Sequence, residues 1–232
     1  MILLFRKETA MLRALMRSGG DVATIAITIF SYAIILLIVF PIHECSHALM
    51  AKGLGDDTAE SQGRITLNPL AHLDLIGTIG ILLFGVGWAK PVPVSPNRAR
   101  KTSARTAMAL TAAAGPMANI VLSLIAMIIG KLIIVFGGGT TVSGYLVMAM
   151  YMIVDISLYN GVFNLLPIPP FDGSRIFLAF LPPKYYFGIM KYERVIMVVI
   201  LMLLYTGILS VPFNFLSDLI YSGLNAITGF IF

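Results

Sequence analysis

The sequence predicts an all-α polytopic membrane protein, with about five to six transmembrane helices and a small membrane-associated β or re-entrant element. Two observations carry this. Hydrophobic residues make up 58% and charged residues 12% of the 232 residues, with a mean hydropathy of +0.92, whereas a soluble globular domain has about a quarter of its residues charged. Long apolar runs also recur, and about 20 residues at about 1.5 Å each suffice to cross a bilayer. Residues 1–232 therefore read as a single membrane-embedded domain, because a further folded module would need at least about 50 residues that no connection supplies.

Residues 1–20 mix Arg6, Lys7, Arg13 and Arg17 with Leu and Met, the pattern of an amphipathic surface segment without a signal-peptide cleavage site. Residues 23–52 form the first long apolar helix, which Gly53 and Gly55 end. Residues 56–103 differ from what surrounds them and read as a strand and re-entrant region. Their first part, 61–69, is β-branched and stops at Pro69; 75–87 is apolar but short and Gly-rich; 88–94 is an extended run punctuated by Pro91 and Pro93. Non-helical backbone at this depth is tolerated only when protein covers it or it lines a cavity. Spans resume at Ala104–Phe136, which Gly137 to Gly139 end, and continue with 145–166, 194–209 and 213–232, the last two parted by Pro212.

The net charge of +5 is modest, and its Lys and Arg are scattered beside apolar segments without interleaved aromatics. That excludes a nucleic-acid partner and favours a lipid surface. Lys90, Arg98, Arg100, Lys101 and Arg105 precede the second span, Arg175, Lys184, Lys191 and Arg194 follow the third, and 137–144 carries no charge. The positive-inside rule puts the two basic connections in the cytosol. The basic amino-terminal segment conflicts with a single crossing, so its side stays open.

His43-Glu44-Cys45-Ser46-His47 ends the almost charge-free stretch 25–42. Residues four apart share a helix face and can present two imidazole nitrogens to one zinc ion, with Glu44 beside them to move a proton between water and a leaving amine. Two His and a Glu pairing near a helix end is the plainer reading. Ionisable groups at bilayer depth are expensive, however, so a cluster of three here favours function. Cys45, the sole cysteine, excludes an internal disulfide and should point away from the metal as small packing. The best third ligand is Asp172, in Asn164-Leu165-Leu166-Pro167-Ile168-Pro169-Pro170-Phe171-Asp172-Gly173, where the prolines break the helix and Gly173 permits a tight backbone. Two His and a carboxylate leave a tetrahedral position for water or a substrate carbonyl. An Asp-Gly turn at the membrane surface is the alternative. His72 and Asp74 read as structural hydrogen-bonding groups.

Together these motifs resemble the site-2 protease family of intramembrane zinc metalloproteases, in its compact branch without an evident PDZ or CBS domain. His43 to His47 matches the family's first motif, and Asn164 to Gly173 its Asn-x-x-Pro-x-x-x-x-Asp-Gly motif, with Phe171 where many members carry Leu. The tracts Gly63 to Leu70 and Gly115-Pro116-Met117-Ala118-Asn119 are similar as well. The resemblance covers about residues 33–175. It implies one Zn2+ per chain on His43, His47 and Asp172, with Glu44 as general acid/base. It places Asn119 and Asn164 near the active site, where an amide could hold substrate backbone or stabilise an oxyanion, or else cross-link helices. Arg64, Ile65, Thr66 and Leu67 could pair with an unwound substrate strand, or form a sheet edge covering the core. The implied activity is hydrolysis of peptide bonds in or near transmembrane segments of membrane-protein substrates, with regulatory membrane partners and a prokaryotic cell membrane as the setting. The active site would lie toward the cytosol. A catalytically silent helix-binding relative and a metal transporter are the other classes; intact motifs weigh against the first and the scarcity of His against the second.

Overall fold

The structure, a computed structural model, describes residues 2–3, 22–84 and 86–231. The expected amphipathic segment 1–20 lies outside the described residues, apart from Ile2 and Leu3. Among the described residues the chain is mainly helical. A minimal antiparallel pair, β1 (Ile2–Leu3) with β2 (Val86–Gly87), aligns Ile2 with Gly87 and Leu3 with Val86.

The first long helix, α1 (Val22–Gly53), carries 32 residues. Its turn at Ile35–Val39 is π-helical, and the Phe40 N–H reaches back five residues to the Ile35 carbonyl. Pro41 follows and has no N–H to donate. The widened turn absorbs one extra residue and so sets the rotation at which the histidine motif emerges. The chain then makes α2 (Thr58–Ser61), a 3-10 turn at Pro69–Ala71 and α3 (Leu75–Phe84) before β2. Asp74 accepts a hydrogen bond from the Gly77 N–H at 2.8 Å and so starts α3.

Two further long helices follow, α4 (Ala104–Phe136) with 33 residues and α5 (Thr141–Asn164) with 24. Ser103 and Thr140 cap them through their side-chain oxygens. Beyond α5 lie α6 (Asp172–Leu178), α7 (Pro183–Met190), α8 (Glu193–Thr206) and α9 (Ser210–Ile227). Among the described residues α1, α4 and α5 are long and apolar enough to cross a membrane. The last two apolar runs make shorter helices of 14 and 18 residues, so the 14-residue α8 reaches only about 21 Å against about 30 Å of hydrocarbon. The break between them falls at Gly207, with φ of 78°, and not at Pro212. A proline in the first turn of a helix forfeits a hydrogen bond that the helix would not make.

α4 packs most extensively on α5, then on the motif half of α1, then on α6. Ile35, Val39, Met127, Val154, Val162 and Phe163 fill the core between them. Phe171 joins it, 1% exposed, with its ring 4.3 Å from that of Phe163 and edge-on to it. The large apolar residues left exposed along α1, α4 and α5 have the composition of surfaces facing lipid.

The expected strand at Arg64 to Leu67 is not formed. This segment is irregular, with Arg64 buried and Leu67 62% exposed. Arg64 donates from Nη2 to the Lys90 carbonyl, and the Thr66 carbonyl sits 2.8 Å from His72 Nε2. The extended backbone lies instead at 86–94, where Leu73 bridges to Ala89 and the Lys90 N–H donates to the His72 carbonyl at 2.7 Å. Both tracts have extended character in the sequence; main-chain pairing of Leu73 and His72 with Ala89 and Lys90 holds the second.

Candidate active site

His43 and His47 are successive-turn residues on the buried face of α1, 5% and 8% exposed. Asp172 is the first residue of α6, beyond the Pro-rich break that ends α5. Gly173 lets that break close, since a Cβ there would lie 2.1 Å from the Leu165 carbonyl oxygen. The three side chains meet: His43 Nε2 and His47 Nε2 are 3.1 Å apart, and Asp172 Oδ2 is 3.1 Å from His43 Nε2 and 3.2 Å from His47 Nε2. Tetrahedral ligands on zinc bonds of about 2.0–2.1 Å stand about 3.3 Å from one another, so this triangle fits the ion within about 0.2 Å. Two imidazoles and one carboxylate are also a donor set that leaves one coordination position open. Burial works against ionisation of Asp172, but the His47 charge and the hydrogen bonds with both imidazoles outweigh it. They hold the carboxyl well below the usual carboxylate range.

α4 backs this triangle. The His47 Nδ1 faces the Thr111 carbonyl at 2.7 Å, the His43 Nδ1 lies 3.1 Å from the Asn119 amide, and Gly115 stands between them. A Cβ on Gly115 would come within 2.4 Å of His47 Nε2 and 2.7 Å of His43 Cε1. The stripe 111, 115, 119 thus repeats the four-residue spacing of 43 and 47 on a helix running the opposite way.

The triangle opens on a cavity of about 310 Å³ that Glu44, Asn164 and Arg175 also line. Its far wall is the extended segment 88–94, pinned through Lys90 and at the end by Asp56, whose Oδ2 accepts from the Ser95 N–H. Asn164 is oriented unambiguously, because its Nδ2 donates both to the Asn160 carbonyl at 3.0 Å and to Asn160 Oδ1 at 2.9 Å. Its Nδ2 is thereby engaged on Asn160, which leaves Oδ1 as its spare acceptor. Asn164 thus has an acceptor to offer a hydrogen-bond donor in the cavity it lines. Asn119 is fully buried against His43 and is not among the residues that line the cavity. Arg64 to Leu67 are not among the residues that line this cavity, although Arg64 is within electrostatic reach of Glu44 on its wall.

Sequence reasoning missed Thr111, Arg175 and the cavity role of 88–94. For Thr111 the signal was its spacing of eight from Asn119, with Gly115 midway. For Arg175 it was the three-residue offset from Asp172, which puts both on one face of α6. Cys45 is buried and stands outside the metal-competent cluster of the described residues.

No protein-family model matches the chain, and no solved structure matches it. It is 42% identical over 160 residues, 68% of this chain and 72% of the relative, to a Bacillus subtilis protein named "Putative zinc metalloprotease YwhC". It is 28% identical over 191 residues, 74% of this chain and 69% of the relative, to a Mycolicibacterium smegmatis protein named "Putative zinc metalloprotease Rip2". With the likeness to the first covering more than two thirds of both chains and the paired motifs meeting at one cavity, this chain belongs to the site-2 protease family.

Proposed function

We propose that this chain is a zinc metalloendopeptidase that hydrolyses peptide bonds in or near the transmembrane segments of other membrane proteins. The observation that carries this is the His43, His47 and Asp172 triangle beside Glu44 in a cavity at the end of an apolar helix. Zinc, when bound, supplies Lewis-acid polarisation of the scissile carbonyl and of the attacking water. Glu44, on the cavity wall, takes the water's proton and returns it to the leaving amine. Asn164 Oδ1 receives a substrate backbone N–H, and the extended wall 88–94 keeps the peptide against the triangle. A helix shields its own amide bonds, so the substrate unwinds locally before attack. The basic connections around 90–105 and 175–194 support an opening on the cytosolic side.

The test is purified protein with transmembrane peptides, with and without a zinc chelator. Glu44→Gln should keep about one zinc per chain while cleavage falls about 10²-fold or more; wild-type turnover in that variant would remove Glu44 from the chemistry. Full zinc retention in both His47→Ala and Asp172→Ala would remove the ligand assignment.

A further inference from the structure

His47 and His43 are backed in different ways by α4. The Thr111 carbonyl can only accept, so the 2.7 Å contact puts a proton on His47 Nδ1, and as a metal ligand His47 then presents its Nε2 lone pair to the triangle. His43 presents Nε2 to the same triangle, so as a metal ligand it too must carry its proton on Nδ1. That atom lies 3.1 Å from the Asn119 amide nitrogen. Two donors would then face each other, while Asn119 Oδ1 is buried without a hydrogen-bond partner.

A half-turn about the terminal bond of an amide exchanges its oxygen and nitrogen with almost no change in shape. The rest of Asn119 is fixed. Its carbonyl accepts from Ser123 Oγ and Ser157 Oγ, each at 3.0 Å, and a Cβ on Gly161 would lie 3.3 Å from the Asn119 Cβ, so α5 closes tightly over it. One freedom remains, and the ligand tautomer of His43 selects its sense. We propose that Asn119 is a positioning residue for the metal site: its side-chain Oδ1 accepts from His43 Nδ1–H and holds His43 in the tautomer and ring orientation that present Nε2 to the ion. This rests on the reading of the triangle as a zinc site. It makes Asn119 for His43 what the Thr111 carbonyl is for His47, and it gives Asn119 a part other than substrate binding.

The two senses of the amide are separated by what replaces it. Asp at 119 keeps the acceptor and deletes the donor; Leu keeps the shape and deletes both. In the full chain in detergent, zinc affinity measured by chelator competition should fall about 10- to 100-fold in Asn119→Leu, the scale for loss of a partner behind a metal-ligating His. In Asn119→Asp it should stay within about threefold of wild type or tighten. Equal weakening in Asn119→Asp and Asn119→Leu, or unchanged affinity in Asn119→Leu, would overturn the proposal. The wild-type protein gives a second readout that needs no variant at 119. In its zinc-loaded form with 15N-labelled histidine, His43 Nδ1 should carry the proton, and an unprotonated Nδ1 would overturn the proposal as well. Zinc affinity that survives in His47→Ala defeats the metal site itself, whereas affinity lost there but intact in Asn119→Leu defeats only the role of Asn119.

Discussion

Gly115→Ala separates the fold of this protein from its metal site. The added methyl would lie 2.4 Å from His47 Nε2, 2.6 Å from His47 Cε1 and 2.7 Å from His43 Cε1. Ordinary van der Waals contact begins at 3.4 Å, so the shortfall to Nε2 is 3.4 − 2.4, or about 1 Å. Both rings are engaged at their far nitrogens, His47 on the Thr111 carbonyl and His43 on Asn119. They can yield only by breaking those contacts. Without metal the rings can swing clear, and α4 gains about 1 kcal/mol of helix propensity on replacing Gly by Ala. With metal they cannot, because coordination tolerates about 0.2 Å and the displacement is about five times that. Zinc affinity should therefore drop on the order of 10²-fold or more, at or beyond the top of the range for changes behind a metal ligand. The metal-free protein should lose no more than about 1–2 kcal/mol, because the propensity gain offsets part of the two contacts broken. Chelator competition gives the affinity, and thermal denaturation followed by circular dichroism with and without chelator gives the stability. Wild-type zinc affinity in Gly115→Ala would refute the packing of the two imidazoles against α4.

Asp56→Asn should loosen the cavity wall, because Asp56 accepts from Ser95 N–H, Thr58 N–H and Thr58 Oγ; the expected loss is about 2 kcal/mol, read by chemical denaturation, and unchanged stability would count against the clamp. Burial opposes ionisation of Asp56, but hydrogen bonds from Thr58 and Ser95 outweigh it and lower its pKa. Its contribution is therefore complete above the unfolded value near 3.8, and it fades as pH falls through the folded value below that. The Asn variant should lack this acid-side loss, which parallel denaturation curves down to acidic pH would show. Phe171→Leu restores the residue common in the family motif but gives up an edge-on ring contact with Phe163; it should cost about 1–2 kcal/mol, seen as a lower melting temperature with zinc content unchanged.

The sequence by itself determined the membrane class, because composition and run length report directly on the solvent each segment can bear. It also determined that His43 and His47 share a face, since that follows from helical spacing alone, and that Asp172 sits at a break, since proline enforces it. The structure brings these three together as that reading requires. What the sequence could not place was everything that depends on which segments lie against each other. Arg64 to Leu67 and 88–94 read alike as extended tracts, and the contacts of His72 and Arg64 with Lys90 and of Asp56 with Ser95 hold the second as the cavity wall. The two asparagines look alike in a motif. Packing of α5 on α4 buries Asn119 against His43, while Asn164 Nδ2 is held by Asn160 one turn earlier on the same helix. An amide is donor and acceptor at once, so its role is settled by its neighbours; for Asn119 that neighbour is His43, brought by tertiary packing from 76 residues away in the chain.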